Sequence, residues 1–477
     1  MKLIKTGDAF VCHQQADELK GHETRADSPW KNRSIEDNLL LFEDMKNGKI
    51  DEGKATLRMK HTMKDGKLDP VAYRIKFTEH HRTKDKWCIY PTYDYTHCLV
   101  DSMEDISHSL CTKEFQNRRP SCKSLSACPR LESPSYESCA TTPALSCDAQ
   151  HSDALTFPLR LYPIPIPIPV DYWLCNAVDV YCPVQWEYSR LNVSYAVVSK
   201  RKIAKLIDGG FVSDWDDPRL MTLSALKRRG FPAEAITRFC EKIGVTESTE
   251  TTIDPSNVEA SVREVMDEKC TRAMAVLQPI RVELTEVPEG FPSTVTVPNH
   301  PKDASLGSHT VSACKVLFIE REDFEAAGGK DFKRLSLKQP VGLKYLNMII
   351  KVQKVIEENG VVTGLVAQGV SQTPENKPKA WIHWVSSASP AVKPKEAEVR
   401  CYKRLFLHPE PEKHGFLDDV NPDSLTTYST ALVDDTVNVG KVGDSFQFER
   451  SGFYCIDRDS TPEKTVFNLT VELRASK

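Results

Sequence analysis

WCIYPTYDYTHCLVDSMEDISHSLCTKEF, residues 87–115, decides how the rest of the chain is read. It concentrates aromatic, His and Cys residues and ends in the polar run Ser109-Leu110-Cys111-Thr112. Its head, Trp87-Cys88-Ile89-Tyr90-Pro91, reads as a short buried strand stopped by proline, which brings no N–H to a ladder. From Asp94 to Ser109 the spacing of Leu99, Met103, Ile106 and Leu110 predicts a helix. A strand handing over to a helix puts Tyr93, Asp94 and His97 at the carboxyl edge of a sheet, where open α/β sheets bind ligands.

The chain has 477 residues, 40% of them hydrophobic. That length points to about three domains, each able to bury a core. No apolar run approaches the ~20 residues of a membrane span, and MKLIKTGDAF at the N-terminus lacks a signal-peptide apolar stretch, so a cytoplasmic protein with no membrane partner is expected. The net charge of −4 confines any nucleic-acid surface to local patches. Fifteen scattered cysteines suit reduced thiols better than a disulfide framework, and the sequons at Asn192 and Asn468 are then incidental.

Residues 1–86 read as a small α/β unit. Ser34 is the expected N-cap of a helix with the stripe Ile35, Leu39, Phe42 and Met45, ended by Gly48. Val71–Phe77 alternates as a half-buried strand. Arg74 and Lys76 on its outer face, with His80, His81, Arg82 and Lys84 beyond, fit either a solvated edge or a surface for RNA phosphates. Pro120–Val170, rich in Ser, Pro and Cys with a Pro-Ile repeat at Pro163–Pro169, cannot form a packed core and is expected to be disordered or polyproline-like. Its cysteines 122, 128, 139 and 147 lack a paired C-x2-C, so no metal site is read there.

Beyond it, Tyr172–Val180 predicts a helix, Val184–Tyr188 a strand, and Val197–Lys202 a loop before a helix from Ile203. Residues 203–271 read as helical, with Pro218 and Pro232 at helix starts and Gly230 and Gly244 past helix ends. After about 276 short strands take over: Ile280–Leu284, Thr294–Val297, Val316–Ile319, Met348–Val355, Trp381–Val385 and Val466–Val471. Asn359-Gly360 is a two-residue hairpin signal. Many short strands argue for β-barrels.

The opening stretch, followed by QWEYSRLN (185–192) and VVSKRK (197–202), resembles the eukaryotic-type glutaminyl-tRNA synthetases, class I enzymes, over nearly the whole chain except about 120–170. The resemblance implies a multidomain α/β plus all-β fold. An acceptor-stem-binding domain with the tail of the first Rossmann half would occupy 1–86. The second half of the Rossmann-type catalytic domain would occupy 87–202, interrupted by an insertion at 120–170, and a helical subdomain 203–275. Two anticodon-binding barrels, one inserted in the other, would take 276–330 with 411–477 (proximal) and 331–410 (distal). It tips the basic cluster toward RNA, and makes Ser199-Lys200-Arg201-Lys202 a KMSKS-type mobile loop rather than a surface charge run.

The implied activity is ligation of L-glutamine to its tRNA through an adenylate, with ATP as substrate and Mg2+ expected. By resemblance Thr112, Arg190, Leu191, Val198, Ser199 and Lys200 bind ATP, with Lys200 catalytic. The Lys200 ammonium would neutralise charge on the α-phosphate and departing pyrophosphate, since such transfers rest on positioning and electrostatics. Tyr93, Cys111 and Gln185 would hold glutamine, Cys111 being neutral where glutamyl relatives carry arginine; simple packing is its other reading. Arg272, Lys333, Arg334, Lys344, Gln447 and Arg450 would read the anticodon, although Lys344 stands where bacterial relatives have an arginine.

One motif is missing. Class I synthetases carry an H-x-G-H whose histidines contact ATP, and none occurs here. The expectation is therefore an N-terminally truncated chain. The alternatives are a non-catalytic tRNA-binding protein and, disfavoured by Cys111 and QWEYSR, a glutamyl-tRNA synthetase. The resemblance also leaves a place in a multi-synthetase complex open.

Overall fold

A computed structural model of the chain describes residues 1–15, 27–62, 68–113, 173–246, 252–329 and 331–473. The segment read as disordered, 120–170, lies outside the described residues. Two compact units emerge, Met1–Arg190 with Thr246–Thr249, and Leu191–Val245 with Glu250–Lys477. No helix among the described residues is long and apolar enough to cross a membrane.

In the first unit the elements run α1 (Lys2–Lys5), β1 (Ala9–Cys12), α2 (Ile35–Lys46), β2 (Thr56–Met59), β3 (Val71–Ile75), β4 (Ile89–Pro91), α3 (Tyr93–Met103), β5 (His108–Thr112), α4 (Trp173–Val178) and β6 (Val184–Tyr188). Ser34 caps α2 by accepting from Asp37 N–H at 3.1 Å. Phe42 and Met45 are buried, whereas Ile35 at the head of the expected stripe is 39% exposed. β1–β4 form an antiparallel meander, not the open parallel sheet anticipated at Tyr93. The parallel pair is β5 with β6, in register His108↔Val184 to Thr112↔Tyr188.

Two local expectations here are corrected. The strand starts at Ile89, leaving Trp87 outside it and 41% exposed. The helix stops at Met103, not Ser109, because the chain turns through Asp105 at φ +54° into β5. Asp tolerates that left-handed conformation better than most residues. Met103 and Leu110 are accordingly 76% and 66% exposed rather than part of one apolar stripe.

The second unit begins with β7 (Asn192–Val193), α5 (Lys200–Asp208), α6 (Leu223–Arg229), α7 (Ala233–Ile243), β8 (Thr252–Ile253) and α8 (Pro255–Lys269). Thr222 caps α6, accepting from Ala225 N–H at 3.1 Å. Pro218 therefore lies in the preceding turn and not at a helix start. Pro232 does precede α7, and Gly230 and Gly244 follow α6 and α7 at positive φ. The strands are β9 (Thr271–Ala273), β10 (Ala275–Val276), β11 (Pro279–Leu284), β12 (Thr294–Pro298), β13 (Ser308–Ser312), β14 (Val316–Glu320), β15 (Val341–Leu343), β16 (Met348–Glu358) and β17 (Val361–Ser371). After these come β18 (Trp381–Ile382), β19 (Val385–Ser386), β20 (Lys395–Tyr402), β21 (Leu425–Val433), β22 (Ser445–Phe448), β23 (Gly452–Ile456) and β24 (Thr465–Glu472).

The pairing makes two seven-stranded sheets, ordered β10-β21-β20-β24-β23-β22-β9 and β18-β15-β16-β17-β11-β14-β19. In each, the two edge strands are neighbours in the chain, β9 and β10 joined by Met274 alone, β18 and β19 by His383-Trp384. A sheet whose edges are tied that closely must curl back on itself, so both are near-closed barrels. The Trp381–Val385 segment read as one strand is this seam. Its Trp384 is fully buried and donates Nε1–H to Lys344 O at 2.8 Å.

The strands of one sheet are inserted in the chain between those of the other, with a division different from the expected residue ranges. The inserted sheet takes β11 and β14–β19, and the outer one β9, β10 and β20–β24. Residues 276–330 thus contribute their strands mainly to the inserted sheet, and β20, within 331–410, pairs in the outer one. Hydrogen bonding, not chain position, sets the boundary. Asn359 (φ +53°) and Gly360 (φ +77°) link β16 and β17, the conformation a type I′ turn demands.

Candidate functional site

In the first unit β4 hands over to α3 through Thr92 alone, which places Tyr93 at the helix's first position. One turn on, His97 stacks on the Tyr93 ring, centroids 5.3 Å apart and planes at 18°. His97 Nε2 lies 3.0 Å from Cys111 Sγ on β5. Ser109 lies two residues back along the strand and donates its hydroxyl to Asp101 of α3 at 2.7 Å. Register sets Gln185 opposite Ser109 and Glu187 opposite Cys111, and Gln185 donates to Glu187 at 2.8 Å. Ser109, Cys111 and Glu187 are buried. Tyr93, Cys111 and Gln185 thus belong to one patch of α3, β5 and β6. The sequence reading placed Cys111 in a helix; it is on a strand, where period-two alternation turns it inward beside Ser109. Asp101 and Glu187 went unremarked in that reading because a lone polar residue gives no spacing signal, and Ser109 was noted only as part of a polar run.

The residues read as ATP-binding divide between the units. Thr112 at the end of β5 and exposed Arg190 lie in the first, and Leu191, Val198, Ser199 and Lys200 in the second. The expected Val197–Lys202 loop is shorter than predicted. Val197 is buried, Val198 and Ser199 are exposed, and Lys200 opens α5. Ile203 and Leu206 bury one face of that helix, and good helix formers before them carry it back to Lys200. α5 has no acidic residue in its first turn. Lys200 and Arg201 therefore add to the positive end of its dipole.

Five of the six residues read as contacting an anticodon, Arg272, Arg334, Lys344, Gln447 and Arg450, lie where the seams of the two barrels meet. Arg272 on β9 is the register partner of Gln447 on β22. Its guanidinium reaches Asp267 at 3.1 Å. Arg272 Nε and Gln447 Oε1 are both buried with no hydrogen-bond partner among the described residues. Two residues along, Glu449 takes the Lys344 ammonium at 2.6 Å and the Tyr345 hydroxyl at 2.5 Å. Burial pushes the Glu449 carboxyl up, but Lys344, Tyr345 and Arg272 together hold it below its ordinary range.

Arg450, at φ +65°, makes a two-pronged pair with fully buried Asp323, at 2.7 and 2.6 Å. Arg334 approaches the same carboxylate at 3.3 Å, and its neighbour Lys333 is exposed. Arg450 also lies 3.3 Å from His383 at the inserted barrel's seam. Glu320 fixes the crossing between barrels by accepting from Leu277 and Gln278 N–H at 2.6 and 3.0 Å. The organising carboxylates, Glu320, Asp323 and Glu449, escaped the sequence reading. Only Glu449, lying in the sequence between Gln447 and Arg450, carried a hint.

Buried polar atoms without a protein partner are rare in folded proteins, and water, an ion or a ligand can complete their bonding. Here they sit among cations and an aromatic hydroxyl, the groups that read unstacked bases and hold phosphates. In the first unit, exposed Arg74, Lys76, Arg82 and Lys84 surround a tight turn in which the His80 and His81 rings lie 4.4 Å apart. Exposure alone fits either earlier reading of that cluster.

Comparison with known proteins agrees with this layout. The family described as "tRNA synthetases class I (E and Q), catalytic domain" matches residues 1–139 and 168–268. The break in that match falls inside the segment read as an insertion. Two families described as the anti-codon binding domain of the same synthetases match 270–369 and 381–457. A "Probable glutamine--tRNA ligase" of Caenorhabditis elegans is 48% identical over 99% of this chain and 54% of its own length. The "Glutamine--tRNA ligase" of Bos taurus is 48% identical over 99% and 55%, and the "Glutamine--tRNA ligase, cytoplasmic" of Arabidopsis thaliana 38% over 100% and 55%. The chain spans about half the length of the curated relatives it matches. The catalytic-domain match runs through residue 268, into the second unit, and the anticodon-domain matches follow it, so the chain belongs to the class I tRNA synthetases of the E and Q family.

Proposed function

We propose that this chain serves ATP-dependent ligation of L-glutamine to its tRNA in the cytosol. The observation that carries the RNA half of this reading is the convergence of Arg272, Arg334, Lys344, Gln447 and Arg450 on the seam of two nested barrels, with buried bonding capacity unmet. Lys333 stands exposed beside them. The anticodon bases are read there; the basic face around Arg74 and Arg82 holds acceptor-stem phosphates.

For the amino acid, Tyr93, Cys111 and Gln185 hold the glutamine side chain. Among the groups bonded around them are Asp101, Ser109, His97 and Glu187, which bring acceptors and negative charge. Such a surface offers the amide acceptors and repels the carboxylate of glutamate. For the nucleotide, Thr112, Arg190, Leu191, Val198 and Ser199 line the ATP site. Lys200 neutralises the charge developing on the α-phosphate as glutaminyl adenylate forms, and Mg2+ enters with ATP. The tRNA terminal ribose then attacks the activated carboxyl. A place in a multi-synthetase assembly accords with this reading.

A second reading is tRNA binding without catalysis, which the unmet bonding capacity at the barrel seam serves equally. ATP–pyrophosphate exchange with glutamine and tRNA present separates the two. Exchange supports the ligase; no exchange with retained binding of glutamine tRNA supports the second reading; neither exchange nor binding overturns both.

A further inference from the structure

We infer that the second unit carries a phosphate-binding cleft apart from the candidate sites above. It is a cavity of about 540 Å³ walled by the end of α6, the first two turns of α8, the exit of β20 and the end of β24. In a chain of net charge −4, its lining holds Arg219, Arg229, Arg263, Lys403 and Arg404 against only Glu259 and Glu472.

Some of that charge is already answered. Arg219 is paired with Asp217, and Arg404, lying 3.9 Å over the Tyr195 ring, reaches both oxygens of Asp254 at 3.1 Å. The remainder is not. Arg229 and Arg263 share the single Glu259 carboxylate, at 3.4 and 3.9 Å, both longer than a good charged hydrogen bond. Their other contacts are uncharged: the carbonyls of Leu469 and Glu472 and, for Arg229, the rings of Phe231 and Tyr402 at 5.5 and 5.8 Å. The Arg229 side chain is only 14% exposed. Burial pushes the Arg229 pKa down, against the pull of Glu259, Tyr402 and Glu472. Exposed Lys403 at the rim has no acidic partner among the described residues.

Under-neutralised, partly buried guanidinium groups are expensive unless an anion completes them. Arg forks match the oxygens of a phosphate, and Lys adds a point charge. The ligand class is therefore a phosphate group, from either an RNA backbone or a small phosphate such as pyrophosphate.

The test compares the parent with Lys403→Gln/Arg404→Gln and, because Arg404 also holds Asp254 at the head of α8, with Lys403→Glu alone. Thermal unfolding is followed with and without inorganic pyrophosphate, and tRNA affinity is measured against salt. The cleft is supported if pyrophosphate raises the parent's midpoint and both variants lose that rise, with tRNA binding unchanged; the source is then a small phosphate. It is equally supported if tRNA affinity falls roughly tenfold at 0.1 M salt and the log–log salt slope shrinks by about 0.7–0.9 per lost contact; the source is then RNA. Unchanged pyrophosphate response together with an unchanged tRNA slope overturns it. A parent that binds no tRNA sinks the proposed function, while the pyrophosphate arm still decides the cleft.

Discussion

Replacing Asp323 with asparagine removes the charge that ties Arg450 and Arg334 to the seam of the inserted barrel. The side chain keeps its size and one acceptor oxygen, but presents an N–H₂ where a guanidinium now bonds. Asp323 is fully buried, and its carboxylate makes two short contacts to Arg450 and a longer one to Arg334. Breaking one side of a buried pair costs about 3–5 kcal/mol. The Arg450 and Arg334 side chains are 22% and 37% exposed, so water recovers part of the loss. The lower end, about 3 kcal/mol, is expected. For a unit of this size that lowers the thermal midpoint by roughly 6–12 °C. Calorimetry measures it, and Arg450→Met alone and combined with Asp323→Asn closes a double-mutant cycle. Coupling of about 2 kcal/mol is expected. A loss under about 1 kcal/mol, or additive single mutants, would refute the idea that this carboxylate sets the two arginines.

Gly230→Ala is expected to cost roughly 2–4 kcal/mol by thermal melting. The residue sits at φ +97°, and an added Cβ would lie 2.4 Å from Cys455 Cβ and 2.6 Å from Thr470 Oγ1. Asp434 accepts from Met274 N–H at the outer barrel's seam, and burial raises its pKa to about 6. A raised carboxyl stabilises fully below its unfolded pKa and loses that contribution as pH rises through the folded value. The parent should therefore lose about 3 kcal/mol between pH 4 and 7 through this group. Asp434→Asn should flatten that part of the pH–stability curve; an identical curve for both would contradict it. Cys111→Arg puts a cation beside Tyr93 and Gln185, and should narrow the preference for glutamine over glutamate in kcat/KM; an unchanged ratio, in a chain competent for exchange, counts against the pocket.

The sequence was legible where one local signal decides the structure. Ser34 before an apolar stripe, Asn359-Gly360 between two runs of β-formers, and the Val184–Tyr188 strand all stand as read. It misled where a period was continued across a break. Leu110 continues the spacing of Leu99 and Met103, but left-handed Asp105 intervenes and β5 pairs with β6. Lys200 looked like loop because its charges hid the Ile203/Leu206 face that draws it into α5. The candidate RNA site was readable in its cations and not in its carboxylates. Buried acids such as Asp323 acquire their role only when two barrels bring distant segments together.

The central claim is that the barrel seam reads the anticodon of glutamine tRNA. The most direct measurement is the affinity of the chain for that tRNA and for versions with one anticodon base replaced, each with the parent and with Gln447→Ala. The account predicts a loss of about 1–3 kcal/mol per replaced base in the parent, with at least one of those differences shrinking in Gln447→Ala. Equal affinity of the parent for every anticodon would contradict it.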